Sequence, residues 1–332
     1  RARTPGNITS PPPLVVPPPL PGAAVVADVQ GHRGARGLWP ENTLAGFARA
    51  MELGVSAVEL DCAVSRDGVV VVTHDPELNP DVTRDAAGRF LEHTGPRVRD
   101  LSYAELRSYD VGRLNPASAY ARRFPDQEPL DGERIPALAD VLTLVHTRGG
   151  GRVRVAVEVK TFPEQPQLTA APEAFAAALR AVVEATGTLA LVSIMAFDWR
   201  VLAAVQRLMP QAATVALTDE QPGADTVRRG APHPSPWLGG LDPRSCDDSI
   251  PRLVKASGAG TWGPDYLDLD AQRIEEAHML GLEVVPWTVN ATADMERLLA
   301  LGVDGITTDR PDILRRLLAA QGRPVPPAVE RV

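Results

Sequence analysis

Apolar runs of strand length alternate along this chain with segments of helical period. The first run, residues 23–29, leads into a Gly-rich loop, and a periodic segment, residues 44–53, leads out of it. The first strand is placed at 25–31 and the first helix at 42–53, with Asn42 or Thr43 as its cap and Gly54 as a left-handed stop. Further strands are expected at 55–64, 69–73, 153–159, 189–194, 214–217, 258–262, 284–288 and 305–307. Helices are expected at 103–109, 137–147, 172–186, 199–208, 248–257, 271–280, 292–301 and 313–319. Setting 69–73 aside leaves eight strands with helices between them. That repeat favours a (β/α)8 barrel over a doubly wound sheet.

Residues 69–73 are set aside because of the turn before them. Asp67-Gly68 between two extended runs is a hairpin signal, and a parallel neighbour would need a crossover of a dozen residues or more. The second strand therefore returns antiparallel and brings His74 and Asp75 to the height of Glu59 and Asp61. A long excursion of weak periodicity follows, residues 76–135, and is expected to cap the barrel mouth. Residues 222–247 form a second irregular stretch.

Composition sets the limits around this body. The chain has 332 residues, 44% hydrophobic and 23% charged, with a formal net charge of −8, which argues against a broad nucleic-acid surface. Residues 1–22 are Pro-rich and read as an extended arm, 23–322 as the barrel domain and 323–332 as a tail. The arm reads as a spacer after a removed signal, hence a periplasmic or secreted protein, otherwise a cytoplasmic one. No run of eighteen apolar residues is present, so no membrane span is expected. Cys62 and Cys246 do not make a disulfide framework. Lys160 and Lys255 are the only lysines among 34 basic residues, leaving 32 Arg, so a Lys inside a strand stands out.

Glu59 and Asp61 lie two apart on a strand and so face the same way, with Val58 and Leu60 on the opposite face. Two inward carboxylates repel unless a cation joins them, and a hard divalent ion, Mg²⁺ or Ca²⁺, suits oxygen ligands. Glu158 and Lys160 repeat the spacing on the next barrel strand. Glu158 would complete a three-carboxylate site, and Lys160 would offer a charge to an anion or pair with a neighbouring carboxylate. His32 and His74 each end a strand at the same face and can serve as general acid and base. Arg33 can grip a phosphate bidentately. Trp287 faces either the mouth or the core.

These stretches together resemble the glycerophosphodiester phosphodiesterases. The resemblance rests on His32-Arg33-Gly34 with Pro40-Glu41-Asn42-Thr43, on Glu59 and Asp61, on Asp67-Gly68 and His74-Asp75, and on Glu158-Val159-Lys160. It extends to Trp287-Thr288-Val289-Asn290 and Thr308-Asp309-Arg310-Pro311. It implies a (β/α)8 barrel and one divalent cation held by Glu59, Asp61 and Glu158. It implies acid–base work by His32 and His74, Arg33 and Lys160 on the phosphate, and Trp287 beside the alcohol moiety. The implied substrate is a small glycerophosphodiester, cleaved to glycerol 3-phosphate and an alcohol. Ala196 stands where the family usually has Ser. Two rivals remain: a lipid phosphodiesterase of lysophospholipase D type, which an exposed apolar rim on 76–135 would favour, and a catalytically silent phosphate-binding barrel. The oligomeric state stays open.

Overall fold

The computed structural model describes residues 27–331. The Pro-rich arm and the start of the first expected strand, Val25 and Val26, lie outside the described residues. Among the described residues, nine strands form one sheet: β1 (Asp28–Gly31), β2 (Ala57–Val64), β3 (Val70–Val72), β4 (Arg154–Val159), β5 (Val192–Ala196), β6 (Ala213–Thr218), β7 (Thr261–Pro264), β8 (Glu283–Val284) and β9 (Gly305–Thr308). Eight run in the order β8-β7-β6-β5-β4-β2-β1-β9, all pairs parallel. The ring closes through the residues after β8. Asp304 N donates to Val284 O at 2.9 Å and Thr307 N to Pro286 O at 3.0 Å. β8 itself is short because Pro286 has no N–H to give to the ladder.

Among the described residues, ten α-helices accompany the strands: α1 (Leu44–Leu53), α2 (Tyr103–Leu106), α3 (Ala119–Arg122), α4 (Leu138–Gly149), α5 (Pro172–Thr186), α6 (Trp199–Leu208), α7 (Ile250–Ala256), α8 (Ala271–Met279), α9 (Thr292–Leu301) and α10 (Pro311–Ala320). The barrel is thus an α/β fold of the (β/α)8 kind. Several expected bounds shift. The apolar run 189–191 forms a 3₁₀ turn and the strand begins only at Val192. The sixth ring strand, β7, starts at Thr261, after Gly258 and Gly260. α1 begins at Leu44, because Thr43 is its cap: Thr43 Oγ1 accepts from Gly46 N, while Gly54 ends the helix at φ +101°. The expected helix 103–109 is a single turn, and α3 was not expected at all.

β3 is the return limb of the hairpin. It pairs antiparallel with β2 at Cys62↔Val72, Ala63↔Val71 and Val64↔Val70, with Gly68 at φ +81° in the turn. Its other side meets the end of the long excursion: Val72 N donates to Pro136 O at 2.9 Å and Val71 bridges Ala137. Residues 76–135 are therefore clamped at both ends onto one strand. Leu78, Val98, Leu106 and Ile135 give them a core of their own against Ala63 and Val71.

The two faces of the ring strands explain the alternation. Val58, Leu60 and Cys62, with Val155, Val157 and Val159, belong to the large core shared with the helices. The opposite set points into the barrel. There Ala156, Met195 and Leu217 form a small apolar floor, with Phe197 and Trp287 packed on it. Above that floor, at the carboxyl ends of the strands, sit the ionisable side chains.

Candidate active site

The loop after β1 is shaped by its backbone. A Cβ on Gly31 would stand 1.9 Å from Gly34 O. Arg33 is held at φ +53° and Gly34 at φ +92°, left-handed conformations that cost most residues strain. The result is that Arg33 N points at Glu59 and donates to Oε2 at 2.8 Å. Its guanidinium Nη1 donates to Glu41 Oε1 at 2.7 Å, and Nε lies 3.3 Å from Asp61 Oδ2. Asn42, also left-handed at φ +55°, donates from Nδ2 to Asp61 Oδ2 at 3.0 Å. The stretch from Pro40 to Thr43 thus caps a helix and braces the Asp61 carboxylate with consecutive residues.

Glu59, Asp61 and Glu158 meet as their strand register requires, Asp61 lying opposite Glu158. All three are buried, and one oxygen from each lies within 4.8 Å of the others. Lys160 Nζ reaches Glu158 Oε1 at 2.6 Å and Asp61 Oδ1 at 3.2 Å. Neither oxygen has an aligned hydrogen bond. Burial, then Asp61 and Glu158, push Glu59 well above the usual carboxylate range. Burial pushes Glu158 up to about 7 against the pull of Lys160. Burial would raise Asp61 too, but Lys160, His74 and Arg33 outweigh it and hold Asp61 low. Three close carboxylates with under-satisfied oxygens match the donor set of a hard divalent cation.

The two histidines share one arrangement. His32 Nδ1 is 2.6 Å from Asp309 Oδ1. Arg36 grips the same carboxylate from Nε at 2.8 Å and Nη2 at 3.0 Å, and Asn290 Nδ2 adds a bond of 2.8 Å. Burial would raise Asp309, but His32 and Arg36 outweigh it and hold the carboxyl far below its usual range. An ionised Asp309 only accepts, so His32 Nδ1 carries the proton and Nε2 is left basic, 3.8 Å from Glu59 Oε2. His74 Nδ1 lies 2.9 Å from Asp75 Oδ1, and Asn79 steadies Asp75 through a bond of 2.8 Å. Burial brings His32 down to about 4; burial, Lys160 and Arg33 lower His74. Both imidazoles are neutral at pH 7 in this state.

His32, Arg33, Glu59, His74, Glu158, Lys160 and Trp287 all line one cavity of about 420 Å³. Asp61 is wholly buried behind them. Trp287 both faces the cavity and packs: its Nε1 donates to Gly263 O at 2.9 Å and its ring meets Phe197 edge-on. Lys160 is paired with carboxylates, the alternative its spacing left open. Sequence reasoning assigned no role to Asp309, Arg36 or Glu41 and saw in Asn42 only a candidate helix cap, although all but Arg36 stand within the stretches that carry the resemblance. It missed Tyr120 altogether. Tyr120, in α3, donates to Glu41, accepts from Arg36 Nη1 at 2.9 Å and lines the cavity. The excursion thus reaches over the barrel mouth.

Residues 32–313 match the model of the glycerophosphoryl diester phosphodiesterase family. The chain belongs to this family. It is accordingly an enzyme, a glycerophosphodiester phosphodiesterase. A glycerophosphodiester phosphodiesterase of Caldanaerobacter subterraneus subsp. tengcongensis is 28% identical over 298 residues, 89% of this chain and 98% of that one. One from Bacillus subtilis is 27% identical over 86% of this chain and 84% of its own. Among solved structures, a Silicibacter pomeroyi protein assigned as a glycerophosphoryl diester phosphodiesterase superposes with a TM-score of 0.81. It is 36% identical over 91% of this chain and 96% of that one. An Oleispira antarctica phosphodiesterase, solved with its product sn-glycerol-3-phosphate, shares the fold at a TM-score of 0.65. It is 20% identical over 89% of this chain and 97% of its own.

Proposed function

We propose that this phosphodiesterase hydrolyses small glycerophosphodiesters to glycerol 3-phosphate and an alcohol, using one divalent cation and a pair of histidines. The observation that carries this reading is the convergence at one cavity of two histidines each paired with an aspartate, of Glu59 and Glu158 with Asp61 buried behind them, and of the basic side chains Arg33, Arg36, Arg123 and Lys160. Glu59, Asp61 and Glu158 would hold the cation, Mg²⁺ or Ca²⁺. When bound, it neutralises charge on the phosphoryl oxygens and lets the carboxylates coexist.

The chain's own groups do the rest. Arg33 and Lys160 draw in the phosphate. Trp287, packed edge-on against Phe197, gives an apolar wall to the substrate's carbon skeleton. Asp309 and Asp75 fix the tautomers, so that each imidazole presents Nε2 to the cavity. One neutral imidazole takes the proton of the glycerol C2 hydroxyl as that oxygen attacks phosphorus. The other, protonated beside the anionic diester, gives its proton to the departing alcohol as the P–O bond breaks. The cyclic phosphate then opens by the reverse transfers: water attacks phosphorus and gives up a proton, and the C2 oxygen regains one. A lipid substrate draws no support from the surface. The strongly exposed large apolar side chains among the described residues are Leu267, Met279 and Val325, none of them in 76–135.

The test is metal-dependent release of glycerol 3-phosphate from a panel of glycerophosphodiesters. Release that stops in chelator and returns with Mg²⁺ or Ca²⁺ is expected. No release from any diester, or full turnover in protein shown to be metal-free, refutes the proposal.

A further inference from the structure

A second cavity, of about 510 Å³, opens beside the first and shares five of its walls: His74, Asp75, Glu158, Lys160 and Phe197. A group at the shared wall therefore has two chambers to extend into, and their linings differ in charge. The first is lined by Arg33, Arg36, Arg123 and Lys160. In the second, Lys160 is the only Lys or Arg, and Glu77 and Asp219 face it from the loops after β3 and β6.

Neither of those carboxylates is spoken for. Asp219 is 8% exposed, and its Oδ1 accepts only the Gln221 amide, at 2.8 Å. No basic side chain among the described residues pairs with Asp219 or Glu77. The nearby Arg228 is taken up by Glu164, with bonds of 3.0 and 2.7 Å. Burial, with Asp265, Asp268 and Asp225 adding to it, pushes Asp219 up to about 6, the mark of a negative pocket without its counter-ion. Of the remaining walls, Thr161, Gln165 and Thr226 are polar and uncharged, and the rest are aromatic or apolar. Phe162 and Trp237 meet edge-on with centroids 6.4 Å apart, and Phe197 and Leu168 lie on the same cavity. Aromatic faces beside unpaired carboxylates are the surroundings in which an organic cation is held.

We propose that this second chamber receives the alcohol half of the diester and selects a cationic one, an amino alcohol bearing an ammonium or quaternary ammonium group. Phe162, Phe197 and Trp237 are its walls, and Asp219 and Glu77 its counter-charges. The inference rests on the hydrolysis reading above and adds to it the class of leaving group. The glycerophosphate half, anionic and polar, belongs in the Arg-lined chamber, where a second cation would be repelled.

The experiment compares kcat/KM for glycerophosphocholine and for glycerophosphoglycerol, whose alcohol is neutral, on the metal-supplied enzyme. The cationic diester is expected to be favoured by about tenfold. Asp219→Asn and Trp237→Leu should each shrink that ratio several-fold. The wild type gives a check that needs no variant: tetramethylammonium chloride should inhibit competitively, and sodium chloride at equal ionic strength should not. Equal rates on the two diesters, preference for a neutral alkyl alcohol, ratios unmoved in both variants, or tetramethylammonium no more inhibitory than sodium would overturn the inference while leaving hydrolysis standing. Absence of glycerol 3-phosphate from every diester would instead overturn the hydrolysis reading and this one with it.

Discussion

Loading the carboxylate triad with a cation should expel protons, and the number can be worked from the geometry. Two unit charges 4.8 Å apart repel by about 3.5 kcal/mol at an effective dielectric of 20, about 2.5 pK units per pair. Three ionised carboxylates make three such pairs. Lys160 offsets one charge, so the cation-free site keeps a proton near neutrality. The raised Glu59, and Glu158 at about 7, agree. The sign follows. Groups whose pKa lies above the working pH must lose protons to become ligands, so affinity rises with pH. Binding at pH 7 should release about one proton, more at pH 6 and fewer at pH 8, and the apparent Kd should weaken about tenfold per unit below pH 7. Calorimetric titration of Mg²⁺ or Ca²⁺ into metal-free protein, in buffers of different ionisation enthalpy at each pH, measures this. Binding heats that do not depend on buffer at pH 6, or a Kd that is flat from pH 6 to 8, would refute the reasoning.

Replacing His32 or His74 by Ala should lower kcat by about 10²–10⁴-fold each with metal stoichiometry intact, and the double variant should lose less than the product. Near-wild-type kcat in His74→Ala would end the two-histidine scheme. Glu59→Gln should instead reduce bound metal, measured by elemental analysis. Asp309→Asn removes the negative charge and one of the two oxygens shared by His32, Arg36 and Asn290, so the His32 tautomer is no longer fixed, kcat should fall by about 10²-fold or more and the pH–rate profile should shift; a loss of stability without a profile change would make Asp309 merely structural. Gly31→Ala places a methyl against the Gly34 carbonyl and should cost about 3 kcal/mol in urea unfolding, unlike an Ala placed at the open, exposed Gly260.

The ring of strands was legible because each strand alternates a helix-facing apolar residue with an inward one, a pattern fixed by the pleat. Where the pattern misled, local chemistry explains it. Leu189-Ala190-Leu191 looks like strand but follows the left-handed Gly187 and turns. Pro286 cut the eighth strand short. Glu59 and Asp61, two apart on β2, could be read with Glu158 on β4 because register in a parallel pair brings like heights together. Asp309 could not be read as the partner of His32: the two are 277 residues apart, and only barrel closure joins them. Tyr120 left no signal, since a one-turn helix shows no period.

The hairpin has a consequence for how this enzyme can fail. β3 stands outside the eight-stranded ring and contributes nothing to its closure, yet it delivers His74. Glu59 and Asp61 rise on one limb, His74 descends on the other, and the turn of residues 65–68 sets the offset between them. A single residue inserted in or deleted from that turn would slide the return limb by about 3.3 Å and reverse which side its residues face. The barrel would still assemble and the carboxylates would still take up their ion. Activity, though, would be gone. Foldedness and competence are thus separately inherited here, and a change of length in this one short turn is enough to leave a relative metal-replete, well folded and inactive.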